Sequence, residues 1–139
     1  MLLAQRFAQV LGIVYLVVGV AGFIPVPPLL VGELPPQIIG PFDGLLLGLF
    51  AVNWFHSLAH RSIGAIGLAV YRSSVGAMSY ALALGVAYAL LFVVGLLTSL
   101  SALGGLLPLN GWDDILHILT ALLAFGAYFG SRGASRTAA

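Results

Sequence analysis

LFAVNWFHSLAH (residues 49–60) and LLPLNGWDDILH (106–117) hold the only two asparagines of the chain, Asn53 and Asn110. Each is followed seven residues later by a histidine, His60 and His117, and His56 is the third and last histidine. Rare polar residues that recur at one spacing inside apolar text mark an internal repeat. The apolar runs ahead of the two blocks recur as well. FAQVLGIVYLVVGVAGF (7–23) aligns with YALALGVAYALLFVVGL (80–96), matching Ala8 with Ala81, Gly12 with Gly85, Tyr15 with Tyr88 and Gly22 with Gly95. The paired tyrosines carry most of this match, because Leu, Gly and Ala coincide easily in such text. The first run is therefore expected to be retained rather than cleaved as a signal peptide.

Composition sets the solvent. Hydrophobic residues make up 61% of the chain and charged residues 6%, with a mean hydropathy of +1.14. Soluble domains carry roughly 25% charged residues, so the surface of this chain is suited to lipid. Five arginines against four acids leave a net charge of +1, which offers nothing to nucleic acid. No cysteine is present, which excludes disulfides and thiolate metal sites.

Four apolar stretches, at about 6–24, 54–71, 78–97 and 112–130, are each long enough to cross a ~30 Å hydrocarbon layer at ~1.5 Å per residue. The expected architecture is a single all-α domain over residues 1–139. It is an integral membrane four-helix bundle built from two tandem helix-hairpin repeats. Loops at 25–53 and 98–111 lie outside, and a disordered tail spans 131–139. Arg6, Arg72, Arg132 and Arg136 flank one side, and Glu33, Asp43, Asp113 and Asp114 the other. The positive-inside rule puts both termini in the cytoplasm. Trp54 and Trp112 fall at the aromatic-belt position on the opposite side.

The first loop is the longer one. Its proline-rich half cannot be regular helix. Its apolar end, Gly44–Val52, is too short to span and reads as an interfacial or re-entrant segment before the second span. Gly40, Gly44 and Gly48 form a GxxxG series there, suited to close packing on a helix.

Asn53 and Asn110 stand where the second and fourth spans begin, and asparagine is a good helix N-cap. His56 and His60 share one helix face, as do Asp113 and His117 at the same spacing. If the repeat axis runs through the bundle, the two pairs face one another. Three readings follow for this cluster: hydrogen bonding across the bundle, a metal site of His56, His60, His117 and Asp113, or a haem b held by His60 and His117. Arg61, about two turns inside the second span, either snorkels to the headgroups or forms an ion pair with Asp114. No nucleophile–base pair, phosphate loop or zincin motif is present, so an enzyme is not expected.

The segments 5–23 and 44–68, the second tyrosine-bearing span, and the blocks Asn53-x-x-His56-x-x-x-His60 and Asn110-x-x-Asp113-x-x-x-His117 resemble the bacterial domain-of-unknown-function family numbered forty-three eighty-three. The resemblance covers about residues 5–130. It implies a small four-span protein of the bacterial cytoplasmic membrane and no particular activity. Two functions are expected from the chain: an accessory or scaffold subunit that packs small-residue faces such as Gly12/Gly19 and Gly64/Gly67 against other membrane subunits or a second copy, or a metal- or haem-binding bundle using the histidine cluster.

Overall fold

The computed structural model describes residues 1–98 and 101–137. Residues 99–100 of the expected second loop and 138–139 of the expected tail lie outside the described residues, as does the Arg136 side chain. The fold is all-α in its framework. Helices α1 (Leu3–Ala21), α2 (Trp54–Val70), α3 (Ser74–Leu97) and α4 (Gly111–Thr137) are joined by short strands. Strands β1 (Leu30–Val31), β2 (Gly44–Leu46) and β3 (Phe50–Val52) belong to the first loop, and β4 (Ser101–Ala102) and β5 (Leu107–Pro108) to the second. Helices α1, α3 and the Gly111–Gly133 part of α4 are long and apolar enough to cross a membrane. Helix α2 has 17 residues, about 26 Å of length, roughly a turn short of a ~30 Å layer. The described residues thus contain three long apolar helices where four spans were expected.

Helix α1 packs chiefly on α2, and α3 on α4. The first pair meets backbone to backbone. A Cβ on Gly64 would run into the Leu16 backbone, and one on Gly19 into the backbone of Arg61 and Ser57. On Gly67 it would come within 2.8 Å of the Ala8 carbonyl. Small residues allow this approach, and where lipid is as apolar as the side chains, such close packing supplies much of the association energy. The glycine faces proposed to receive other subunits are therefore filled inside the chain. Between the hairpins, the core is a cluster of Phe7, Tyr15, Tyr80, Leu84 and Tyr88 set among the buried alanines 4, 8, 77, 81, 121, 124 and 127.

The helix termini gather at two ends. At one, Ala4 N–H donates to the buried Ser131 hydroxyl (2.8 Å) and the Gln5 amide to the Arg72 carbonyl (3.0 Å). Within the segment expected as the tail, α4 continues to Thr137, and Ser131 supplies an acceptor to one of the orphan first-turn N–H groups of α1.

At the other end sit the two loops. Residues 44–52 are the stretch expected to be an interfacial or re-entrant segment before the second span. They form an antiparallel hairpin, pairing Gly44 with Val52, Leu45 with Ala51 and Leu46 with Phe50, and β1 adds on the far side of β2. The chain reverses at Leu47 and Gly48, both left-handed (φ 53° and 72°). The supposed GxxxG series is consequently not a helix face: Gly40 lies under the Trp54 ring, Gly44 is in β2 and Gly48 is in the turn. In the second loop, β4 and β5 pair around a turn at Gly104 and Gly105, also left-handed (φ 65° and 96°). Leu30, Leu46 and Val52 bury against Val18 and Ala21 of α1, while Leu107 and Leu109 bury against Phe55, Leu91 and Val94. The loops therefore plug one end of the bundle.

The glycine contacts predict an asymmetric response to added methyl groups. Gly64→Val is expected to lower stability by ~1–3 kcal/mol through overpacking. Gly126→Ala, where nothing lies within 4 Å, is expected to stay within ~1 kcal/mol of the native chain or gain slightly in helix propensity. Thermal unfolding in mild detergent would compare the two.

Candidate functional site

The site begins with its two asparagines. Asn53 caps α2, its Oδ1 accepting from the His56 N–H at 3.0 Å. Its Nδ2 donates to the carbonyls of Ile39 (2.9 Å) and Leu106 (2.8 Å). Asn53 is completely buried, and both its donor hydrogens and its acceptor oxygen are used. Asn110 accepts from the N–H groups of Trp112 and Asp113, both at 3.0 Å, and its Nδ2 donates to Leu49 O at 2.7 Å. Each asparagine thus caps its own helix and reaches the backbone four residues ahead of the other asparagine.

Asp113 completes the second cap. Its Oδ2 accepts from Asn110 N–H (2.9 Å) and from Ala51 N–H in β3 (3.1 Å). The first contact closes a capping box with an aspartate in the place usually held by Glu or Gln. The second ties β3 to α4. Asp113 is therefore engaged with backbone.

The histidines lie deeper, and two tyrosines join them. Ring centroids are 5.0 Å apart for Tyr15–His60, 4.5 Å for His60–His56, 6.5 Å for His56–His117, 5.1 Å for His117–Tyr88 and 5.6 Å for Tyr88–Tyr15. These contacts close into a ring of five buried side chains contributed by all four helices. His56 Nδ1 sits 3.0 Å from Ala51 O, and the Tyr15 hydroxyl is 3.1 Å from Thr120 Oγ1. The Nδ1 atoms of His60 and His117 are buried with no hydrogen-bond partner. More than ~90% of buried polar groups in folded proteins are paired, so two orphans side by side in one cluster are a departure.

Two cavities flank the ring. One of about 200 Å³ lies between α1 and α4, walled by Val14, Phe50 and Leu116 and reaching Tyr15, His60 and Thr120. The other, about 90 Å³, lies between α2 and α3 and reaches Tyr88, His56, His60 and His117.

The structure answers the metal and haem expectations on geometry. Among the described residues, no group of three or more His, Cys, Asp or Glu could hold a metal ion. The proposed fourth ligand, Asp113, bonds backbone N–H groups instead. A haem between His60 and His117 would need the volume that Tyr15, Tyr88 and His56 fill.

Arg61 and Asp114 do not pair. The Arg61 guanidinium stands 5.7 Å from the Phe23 ring centroid, at the end of α1. Asp114 lies against Gly95 of α3, with its Oδ1 buried and unpartnered. The two side chains face different helix pairs, which the helical spacing alone did not separate.

Tyr15, Tyr88 and Thr120 were not expected in the site. The signal for the tyrosines was the Tyr15/Tyr88 match between the two apolar runs. Thr120 carried no signal, since its meeting with Tyr15 is purely tertiary.

Residues 5–130 match the model of the family described as Domain of unknown function (DUF4383). The chain belongs to this family. The match spans both asparagine blocks, all four ring-forming helices and the two loops of this DUF4383 protein. No curated protein and no solved structure matches the chain.

Asn53→Ala is expected to cost about 2–4 kcal/mol, since it removes a cap and strands two partly buried carbonyls. Asn53→Asp retains the cap acceptor but loses both donors, so it is expected to be no better than Asn53→Ala. Asn110→Ala, whose Nδ2 bond is exposed, is expected to cost only ~0.5–2 kcal/mol. Thermal or denaturant unfolding of the detergent-solubilised variants gives the order.

Proposed function

We propose that this protein is a four-span membrane bundle of two tandem hairpin units that binds a small uncharged molecule at its histidine–tyrosine ring, without catalysing a reaction on it. The observation that carries the binding reading is the pair of buried, unpartnered Nδ1 atoms on His60 and His117, each beside a cavity. A buried imidazole nitrogen without a partner is unfavourable by itself, and a ligand that hydrogen bonds to it removes that cost.

The two-unit architecture has its own support. The Asn53–Leu106 and Asn110–Leu49 bonds exchange between halves. The left-handed turn at Leu47–Gly48 precedes Asn53 by the same number of residues as Gly104–Gly105 precedes Asn110. Ser57 rests on Gly22 as Asp114 rests on Gly95, and Tyr15 meets His60 as Tyr88 meets His117. Two hairpins related in this way share one orientation, the parallel kind of repeat about an axis along the membrane normal. In this reading α2 is the fourth span, shortened because the loops cover its end. The arginine-bearing end faces the bacterial cytoplasm, and the lipid bilayer is the partner. The accessory-subunit reading loses its motive, because Gly12, Gly19, Gly64 and Gly67 pack within the chain.

Orientation is tested directly, since the chain has no cysteine of its own. Glu33→Cys is expected to react with an impermeant maleimide in intact cells, and Val75→Cys only after lysis. The opposite pattern overturns the topology. For binding, solvent extracts of the purified protein are analysed by mass spectrometry. A small molecule is expected from the native chain and is expected to be lost from the His60→Phe/His117→Phe variant. An empty extract from the native chain, with no ligand-dependent change in melting temperature across a lipid-soluble compound panel, overturns the binding reading.

A further inference from the structure

We infer that the molecule bound is a membrane quinone, with its head group seated in the cavity between α1 and α4. This inference rests on the binding reading above and adds the chemical class of the ligand. The cavity has about 200 Å³ of space, below the ~300–1,000 Å³ of drug-sized pockets and suited to a flat head group of one or two rings. Val14 and Leu47 line it and are themselves exposed, at 47% and 53%. Val14 stands on a helix long and apolar enough to cross a membrane, so its exposure opens the cavity sideways, to lipid.

The polar groups lining it specify the rest. No charged side chain lines the cavity, so a phosphate or carboxylate head group would have no counter-charge, and burying an unpaired charge is strongly unfavourable. Arg61, which could have served, faces Phe23 instead. The groups present donate. Tyr15, Thr120 and Tyr88 have three hydroxyl hydrogens among them and use two in the bonds of Tyr15 to Thr120 and to Tyr88, leaving one to give. The His60 Nδ1 is unpartnered and donates in the tautomer that carries its proton there. A neutral flat ring with carbonyl acceptors and an apolar tail matches this set: the carbonyl oxygen accepts, the ring lies among Tyr15, His60 and Phe50, and the tail leaves between α1 and α4. The matching space beside Tyr88 and His117, about 90 Å³, is too small for such a ring. The repeat therefore has one quinone site rather than two.

Equilibrium dialysis of the full chain in nanodiscs, with 2-methyl-1,4-naphthoquinone as the probe and empty nanodiscs as the partition control, tests the assignment. Saturable binding of one quinone per chain is expected. Thr120→Val, nearly isosteric and so spared from misfolding, and His60→Phe are each expected to weaken binding by about tenfold. Leu116→Trp is expected to abolish it by filling the cavity, and Gly126→Ala, outside both cavities, to leave it unchanged. Binding no greater than that of empty nanodiscs overturns the inference, as does binding indifferent to both Thr120→Val and His60→Phe. If the naphthoquinone fails while a different small molecule co-extracts in a histidine-dependent manner, the quinone assignment falls and the binding reading stands. If both fail, the binding reading falls with it.

Discussion

Asn53 is a wholly buried amide with every polar valence satisfied by backbone from three separate segments: the first turn of α2, the first loop at Ile39, and the second loop at Leu106. An unpaired amide in that position would cost several kcal/mol relative to water. The three segments therefore have to arrive together or not at all. Ile39 N–H donates in turn to Gly105 O, so the same knot joins both loops. Because the loops plug one end of the bundle, the depth at which α2 begins, and with it the depth of His56 and His60, depends on this one side chain.

The glycine contacts act on the other coordinate, the distance between helices. With Gly64 against the Leu16 backbone and Gly19 against that of Arg61, α1 and α2 lie close enough for Tyr15 to reach His60 at 5.0 Å. The α3–α4 pair is built differently. A Cβ added to Gly85 would come within 3.0 Å of the Phe125 ring, and one on Gly95 would run into the Asp114 carboxylate, so side chains stand where the first pair has backbone. The two spaces left between the hairpins, at α1–α4 and at α2–α3, are unequal, about 200 and 90 Å³.

The difference between His56 and Asp113 has a backbone cause. Asp113 accepts from the Ala51 N–H of the facing loop. The position that stands to Asn110 as Ala51 stands to Asn53 is Pro108, which has no N–H to give. An aspartate at position 56 would find only a carbonyl there. A histidine can donate, and the His56 Nδ1 lies 3.0 Å from the Ala51 carbonyl oxygen. The asymmetry visible in the two blocks is thus matched by one proline in the facing loop.

Much of the framework was legible in the sequence because it is local. Apolar runs bounded by prolines and glycines mark helices, an asparagine before an apolar run marks a cap, and a fixed spacing from cap to histidine sets depth. The hairpin at 44–52 was not legible: its strands are two or three residues long, and its turn puts Leu47 at a positive φ that leucine rarely adopts. The tertiary structure alone decided which groups face one another. Tyr15 meets Thr120 across 105 residues of chain, Arg61 turns to Phe23 rather than Asp114, and Asp113 reaches Ala51 rather than a histidine. Helix periodicity assigns a residue to a face, but the partner of that face is set by how closely backbones approach, and here that approach is governed by glycines that sequence spacing had assigned to other subunits.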